Sequence, residues 1–249
     1  MRTIYLFDID GTLTKPLAPI DEEFASVFLE WVNRYKAEVY LVTGSNITTT
    51  KKQLFGAFRD ACAGIFCCSG NDYRVSKKVI YRRKFKPSAA LIEDLNLYLE
   101  NSLYPVKTGK HIERRPGMVN YSIVGRNATQ EQRAEYATWD ARHFEREDMV
   151  DYIKTSHPEL DVTIGGAVSI DIYPQGHDKS QVVDYLRGRQ EEKIRFVFVG
   201  DKNIPGGNDY PLAMKLEEDA NSHWRQVNSP TETEALIRYS ALFIGEGGI

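Results

Sequence analysis

Asp8 and Asp10 stand two residues apart in the segment Asp8-Ile9-Asp10-Gly11-Thr12-Leu13-Thr14. The run before them, Arg2 to Phe7, is apolar and rich in β-formers, which reads as a buried strand. Residues i and i+2 of a strand project to the same side, so two carboxylates would share one site at its end. Like charges held together away from water are costly unless a cation or a catalytic proton accounts for them. The chemistry indicated is metal binding, acid/base work or both, and Gly11 would let the chain turn sharply beside a ligand. A calcium loop is excluded by spacing. An EF-hand needs further oxygen ligands, a turn glycine and a final Glu, where this chain has Thr12, Leu13 and Pro19.

Three further stations carry compatible chemistry. Thr43-Gly44-Ser45 follows the run Val39 to Val42, and hydroxyls and backbone N–H groups leading into a helix suit a phosphate. Asp178-Lys179 opens a later helix, although a single lysine in such a place is usually solvated. Gly200-Asp201 follows Arg195 to Val199 and is itself followed by Gly206-Gly207-Asn208-Asp209. Four polar stations at the ends of four core elements are hard to explain as surface decoration.

The elements that position them read as an α/β fold. Asp21 to Tyr35 places Phe24, Val27, Phe28, Trp31 and Val32 at helical spacing behind a plausible cap at Asp21. With the flanking strands this makes a βαβ unit, the unit of a doubly wound parallel-sheet core. The middle of the chain differs. Lys110 to Val124 and Asp161 to Tyr173 are paired extended runs broken at Pro116-Gly117 and Gly165-Gly166, as hairpins are. Ala89 to Tyr98 and Gln130 to Ile153 have amphipathic helical spacing. The expected organisation is a catalytic core of residues 1–80 and 177–249 interrupted by an α+β module of residues 81–176.

Composition sets outer bounds. The 249 residues are 42% hydrophobic, enough for a substantial core, and 32 basic against 35 acidic residues leave a formal charge of -3. Nothing global favours nucleic acid or an anionic membrane, so neither is expected as a partner and any basic site must be local. Cys62, Cys67 and Cys68 suggest neither a disulfide framework nor a zinc site and read as buried thiols. No apolar run approaches the roughly 20 residues that span a bilayer, and the N-terminal run meets Asp8 before reaching signal-peptide length. A cytoplasmic protein is expected. Gly176 to Ser180 lacks P-loop spacing and Gly206-Gly207 does not make a dinucleotide fingerprint, so no nucleotide cofactor is expected.

The four stations resemble the signature of the haloacid dehalogenase (HAD) superfamily: D-x-D-G-T, a strand-end Thr or Ser, a Lys, and G-D followed by N-D. The similarity narrows to the eukaryotic-type phosphomannomutases through Thr12-Leu13-Thr14-Lys15-Pro16, Gly117-Met118-Val119-Asn120 with Gly125-Arg126, and Gln130 to Arg133. Ser169-Ile170-Asp171 and the run from Gly200-Asp201-Lys202 through Pro205 to Asp209 extend it. The resemblance implies a HAD-like core with an inserted cap. It implies Asp8 as the nucleophile that becomes an aspartyl phosphate and Asp10 as general acid/base. Thr43 and Lys179 would hold the transferring phosphoryl group, with Gly44 and Ser45 beside it. Mg²⁺ would be bound by Asp8, the backbone carbonyl of Asp10, and Asp201, with Asn208 and Asp209 orienting that shell. Arg115, Arg126 and Arg133 would take the distal phosphate of a hexose phosphate, and Ser169 and Asp171 its hydroxyls. A hexose 1,6-bisphosphate primer and a homodimer through the cap are also implied.

The chain departs from the family where an arginine usually follows T-L-T-x-P, since that position is Leu17. Neither Lys15 nor Arg114 occupies the matched place, and an ammonium does not reproduce a bidentate fork. The family's E-N-G reads Cys68-Ser69-Gly70, and an acidic residue tied to a second cation site reads Lys215 in what is expected to be a loop; that second ion site is expected to be absent. The first expectation is therefore a mutase moving phosphate between the 6- and 1-positions of mannose or glucose phosphate. The alternative is a sugar-phosphate phosphatase in which water attacks the phospho-aspartate, and a non-catalytic sugar-phosphate-binding protein is the third.

Overall fold

The computed structural model describes residues 1–189 and 192–239. The chain begins with β1 (Arg2–Phe7), α1 (Glu22–Tyr35), β2 (Glu38–Val42), α2 (Ile47–Gln53), α3 (Gly56–Ala61) and β3 (Gly64–Cys67). Two further strands, β4 (Asp72–Val75) and β5 (Lys78–Arg82), form a hairpin. The chain returns after the middle segment as α7 (Gln181–Arg187), β10 (Ile194–Gly200), α8 (Tyr210–Glu217), β11 (His223–Gln226) and α9 (Pro230–Arg238). These strands make one seven-stranded sheet in the order β11-β10-β1-β2-β3-β4-β5, parallel from β11 to β3 and antiparallel beyond.

Strand alternation divides the apolar residues between two faces. Tyr5, Phe7, Val39, Leu41, Val197 and Val199 pack with Phe24, Phe28 and Trp31 of α1, Phe58 of α3 and Ile237 of α9. Ile4, Leu6, Tyr40, Val42, Phe196 and Phe198 pack with Val182, Val183 and Leu186 of α7 and Leu212 and Leu216 of α8. Helices cover both faces, as expected of a doubly wound sheet. Asp21 caps α1 through its side chain, accepting from Glu23 and Phe24 N–H at 3.0 Å.

The middle segment holds α4 (Ala89–Asn101), β6 (Ile112–Arg115), β7 (Met118–Tyr121), α5 (Gln130–His143), α6 (Glu145–Ser156), β8 (Leu160–Gly165) and β9 (Ser169–Pro174). Its four strands form an antiparallel sheet ordered β6-β7-β9-β8. Val119, Tyr121, Ile170 and Ile172 bury one face against Leu91, Leu95, Tyr136, Met149 and Ile153 of the three helices. The alternate residues Asn120, Ser169 and Asp171 lie on the opposite face, toward the core.

Three expectations need correction. The segment Gln130 to Ile153 is two helices, because Phe144 adopts φ 56° and ends α5 in a left-handed residue before α6 starts. The boundary after residue 80 falls inside β5, whose Arg82 still pairs with Asp72 of the core sheet. The stretch after Asp209 is the helix α8 with Pro211 in its first turn, not a loop, since a proline is tolerated where no intrahelical N–H is required. All three cysteines are buried and unpaired, and burial pushes the Cys62 and Cys67 thiols up to about 12, which makes thiolate chemistry at either unavailable at neutral pH. No helix among the described residues is long and apolar enough to cross a membrane.

Candidate active site

Parallel neighbours end on the same side of a sheet, so the order β10-β1-β2 delivers Asp201, Asp8 and Thr43 to one edge. Asp8 is buried, with its N–H donating to the Val199 carbonyl at 3.0 Å. Lys179 reaches the same place from the turn before α7 and is fully enclosed. Its ammonium donates to Asp8 Oδ1 and to Asp209 Oδ1, both at 2.6 Å. Burial works against that ammonium, but Asp209 and Asp8 outweigh it and hold its pKa above the usual lysine value. Asp209 is engaged at both oxygens, since Oδ2 accepts from Lys202 N–H at 3.0 Å.

Carboxylate oxygens of Asp8, Asp201 and Asp209 lie within 4.8 Å of one another. A Cβ at Gly11, where φ is +91°, would stand 2.4 Å from Asp201 Oδ2; only glycine admits both that backbone and that approach. One ammonium against three carboxylates leaves excess negative charge. Burial, opposed by Lys179 and reinforced by Asp209 and Asp201, lifts the Asp8 carboxyl well above its ordinary range. Burial and then Asp209 push Asp201 up to about 7. An all-oxygen, electron-rich cluster of this kind fits a hard divalent cation such as Mg²⁺.

Asp10 leaves the same strand end for different partners. Its Oδ1 accepts from Leu17 N–H and Gln53 Nε2, both at 2.8 Å, and its Oδ2 accepts from Ser45 Oγ at 3.0 Å. The Asp10 carboxylate is thus held apart from the three-carboxylate cluster. Leu17 makes its contact with φ at 61°, a left-handed conformation that L-residues other than Gly and Asn seldom adopt. Gln53 is buried at the end of α2 and also donates to Thr14 Oγ1 at 3.0 Å. Thr43 Oγ1 accepts from Ser45 N–H at 3.0 Å.

The facing wall comes from the inserted sheet. Arg115 donates through Nη1 to the Gly44 carbonyl at 2.9 Å and through Nη2 to Glu113 Oε2 at 2.6 Å. Arg126 lies 3.1 Å from the same Glu113 oxygen and reaches Asn120 Oδ1 at 3.3 Å. Arg133 donates to two main-chain carbonyls, those of Ala128 at 3.2 Å and Arg126 at 3.3 Å. It has no carboxylate partner among the described residues, and burial alone holds its pKa down. Asp171 is buried and accepts from Asn120 Nδ2 at 2.8 Å, while Ser169 Oγ donates to the Gly165 carbonyl at 2.7 Å. A Cβ at Gly44 would come 2.8 Å from Asp171 Oδ2, so the two walls meet in direct contact there.

A cleft lies between the walls. It is lined by Asp8, Asp10, Thr43, Gly44, Ser45, Asp201 and Asn208 on one side and by Arg115, Arg126, Arg133, Ser169 and Asp171 on the other. Lys179 and Asp209 stand behind Asp8 without lining it. Sequence reasoning missed Gln53, Glu113 and Asn120 as residues that hold Asp10, Arg115 and Asp171 in place. Asn120 falls inside a quoted motif, whereas Gln53 and Glu113 carry no local signal.

A family model described as eukaryotic phosphomannomutase matches residues 27–242. A phosphomannomutase of Solanum lycopersicum is 34% identical, covering 98% of this chain and 95% of its own length. Phosphomannomutase 1 of Dictyostelium discoideum is also 34% identical, covering 95% of each. The chain belongs to the eukaryotic phosphomannomutase family. Solved structures similar to this phosphomannomutase-family fold include the C-terminal domain of C. albicans trehalose-6-phosphate phosphatase. Its TM-score is 0.66 at 15% identity, covering 96% of this chain and 92% of that one. An IMP-bound, N-terminally truncated Plasmodium falciparum IMP-nucleotidase gives 0.57 at 14%, covering 95% and 67%. At such identities the likeness shows the HAD fold alone. At the position where the family resemblance leads one to expect arginine, Leu17 lines the cleft, and neither Lys15 nor Arg114 does.

Proposed function

We propose that the protein interconverts mannose 6-phosphate and mannose 1-phosphate, and glucose phosphates similarly, with a hexose 1,6-bisphosphate as primer. The observation that carries this reading is the opposition of two phosphate-competent walls across one cleft. One has Asp8 backed by Lys179, and the other has three guanidinium groups, of which Arg133 is buried without a counter-charge among the described residues. A sugar carrying a phosphate at each end can then bind either way round, which is what a mutase needs and a single-phosphate hydrolase does not.

In the first half-reaction an Asp8 oxygen bonds to phosphorus, the bond from phosphorus to the sugar oxygen breaks, and Asp10 gives that oxygen a proton. In the return the sugar hydroxyl attacks the phospho-aspartate and Asp10 takes the hydroxyl proton. Lys179 balances charge on the transferring group and Thr43 with Ser45 brackets it. Asp8, Asp201 and the carbonyl of Asp10 would hold Mg²⁺, with Asp209 and Asn208 bracing them; the ion supplies positive charge that lets a carboxylate approach a phosphate dianion.

The second reading is a phosphatase with the same first half-reaction, and Leu17 favours it by placing an aliphatic side chain at the cleft where a cation would strengthen the grip on sugar phosphate. Incubation with mannose 1-phosphate, Mg²⁺ and glucose 1,6-bisphosphate separates the two. Mannose 6-phosphate is expected as the main product; free phosphate with no mannose 6-phosphate would replace the mutase by the hydrolase.

A further inference from the structure

The charge of the molecule is unevenly placed. Residues 77–86 read Lys-Lys-Val-Ile-Tyr-Arg-Arg-Lys-Phe-Lys, six cations and no acidic residue, in a chain whose formal charge is -3. They run along β5, the edge strand of the large sheet, from the turn that precedes it into the connector toward α4. Lys77, Lys78, Arg82, Arg83, Lys84 and Lys86 are all exposed. Arg82 has a carboxylate at 3.4 Å, but Asp72 is shared with Arg74, which holds it more closely at 3.1 Å. The other five have no ion-pair partner among the described residues.

Two apolar side chains interrupt the stripe. The β4–β5 register shifts between Tyr73 and Arg74, and Ile80 falls outside the paired positions. Val79 and Ile80 are 46% and 43% exposed. Such a bulge, together with lysines along the strand, blocks addition of a neutral strand to the edge. Blocking needs only one or two charges, however, and leaves the adjacent aliphatic pair without an explanation. Four of the six cations are lysines, compact hydrated charges on flexible stems rather than planar forks. No exposed ring accompanies them to stack a base, since Tyr81 packs against Tyr73 and Tyr185 with Arg83 over its face.

We propose that the β5 edge docks the protein on an anionic phospholipid surface, with the six cations in the headgroup layer and Val79 and Ile80 entering the acyl boundary. The overall negative charge does not oppose this, because attraction to a charged leaflet acts within about 10 Å of the surface. The hairpin turn with Lys77 and Lys78 lies at the end of the sheet opposite the strand ends that carry Asp8 and Asp201, and β5 then returns to set Arg82 opposite Asp72 at the near end. The stripe stands apart from Asp8 sideways, four strands from β1, roughly 19 Å at the usual strand spacing.

The test is co-sedimentation of the purified full chain with vesicles of phosphatidylcholine alone and of phosphatidylcholine with phosphatidylserine. Binding to the second only, weakened by salt, is expected. Near an anionic leaflet each cation contributes about fivefold, so Lys77→Gln, Lys78→Gln, Lys84→Gln and Lys86→Gln combined should weaken binding by at least about a hundredfold. Val79→Ser with Ile80→Ser should weaken it severalfold while leaving its salt dependence intact. Hexose phosphate turnover, unchanged in both variants, verifies folding. Absence of binding at low salt, equal binding by the glutamine variant, or tighter binding of single-stranded DNA than of vesicles would each overturn the assignment.

Discussion

Lys179 carries a disproportionate share of the site. Removing one partner of a buried ion pair typically costs about 3–5 kcal/mol, because the other charge stays buried and unmatched. Lys179→Met leaves two carboxylates, Asp8 and Asp209, facing an apolar side chain. A loss of stability of that size in denaturant titration is expected, together with loss of turnover. Asp201 gives a prediction of opposite kind. Its folded pKa, raised to about 7, exceeds the value of about 3.9 for an unfolded carboxylate. The folded state therefore keeps a proton that the unfolded state has released. The associated stability is complete below about pH 4 and is lost as pH rises toward about 7. Protein stripped with EDTA should melt lower at pH 8 than at pH 5.5, and Mg²⁺ should restore the pH 8 value; equal melting points regardless of pH and Mg²⁺ would remove the cation from this cluster. Asp8 and Asp201 were legible in the sequence because strand ends and a D-x-D spacing announce them, whereas Lys179, which by itself reads as solvated, was singled out only through the family resemblance. Gln53 was not, since a glutamine in the last turn of a short polar helix looks solvated until the packing of α2 turns it toward Asp10.

Among the elements, local chemistry predicts well where a signal is present and fails where a signal competes with periodicity. Asp21 followed by Glu22 and Glu23 announces the start of α1, and the helix begins there. Gln130 to Ile153 carries unbroken amphipathic spacing with no Gly or Pro, yet the chain breaks at Phe144. The restart at α6 is held by Asp140, which accepts from Arg146 N–H at 2.9 Å and from its Nε at 2.7 Å. Glu145, Glu147 and Asp148 in the new first turn were the available sign, because acidic residues favour a helix N-terminus. The end of α1 is a place for improvement. Lys36 is exposed and adopts φ 51° at the cap, where glycine avoids a left-handed penalty of about 1–2 kcal/mol at a smaller entropic cost. Lys36→Gly should raise stability by about 0.5–1 kcal/mol in thermal denaturation without altering turnover.

At the scale of the whole molecule, the two sheets were foreseeable from the change of pattern between long buried runs and paired hairpins, but their seating was not. It depends on contacts between distant residues: Arg115 with the Gly44 carbonyl, Asn46 Nδ2 with Glu113 Oε1 at 3.0 Å, and Ile164 N–H with the Gly206 carbonyl at 2.8 Å. Glu113 both orients two arginines and ties their sheet to the core. Glu113→Ala should therefore raise KM for hexose phosphate about tenfold or more, at the scale of one lost charge-assisted contact. It should also increase free phosphate formed per mannose 6-phosphate, because a looser lid admits water. Steady-state kinetics with both products measured would show an unchanged product ratio if the contact were only structural.

The placement of β1 in the middle of its sheet has a consequence for how the chain is made. One side of β1 is satisfied early by β2, but the other waits for β10, which lies beyond the entire inserted segment. Asp8 is synthesised among the first residues and meets Lys179 only after that segment has emerged. A nascent or truncated chain therefore carries a half-paired, strongly apolar strand edge and an Asp8 carboxylate without its counter-charge. Such a fragment is prone to aggregate until β10 arrives to close the sheet around β1.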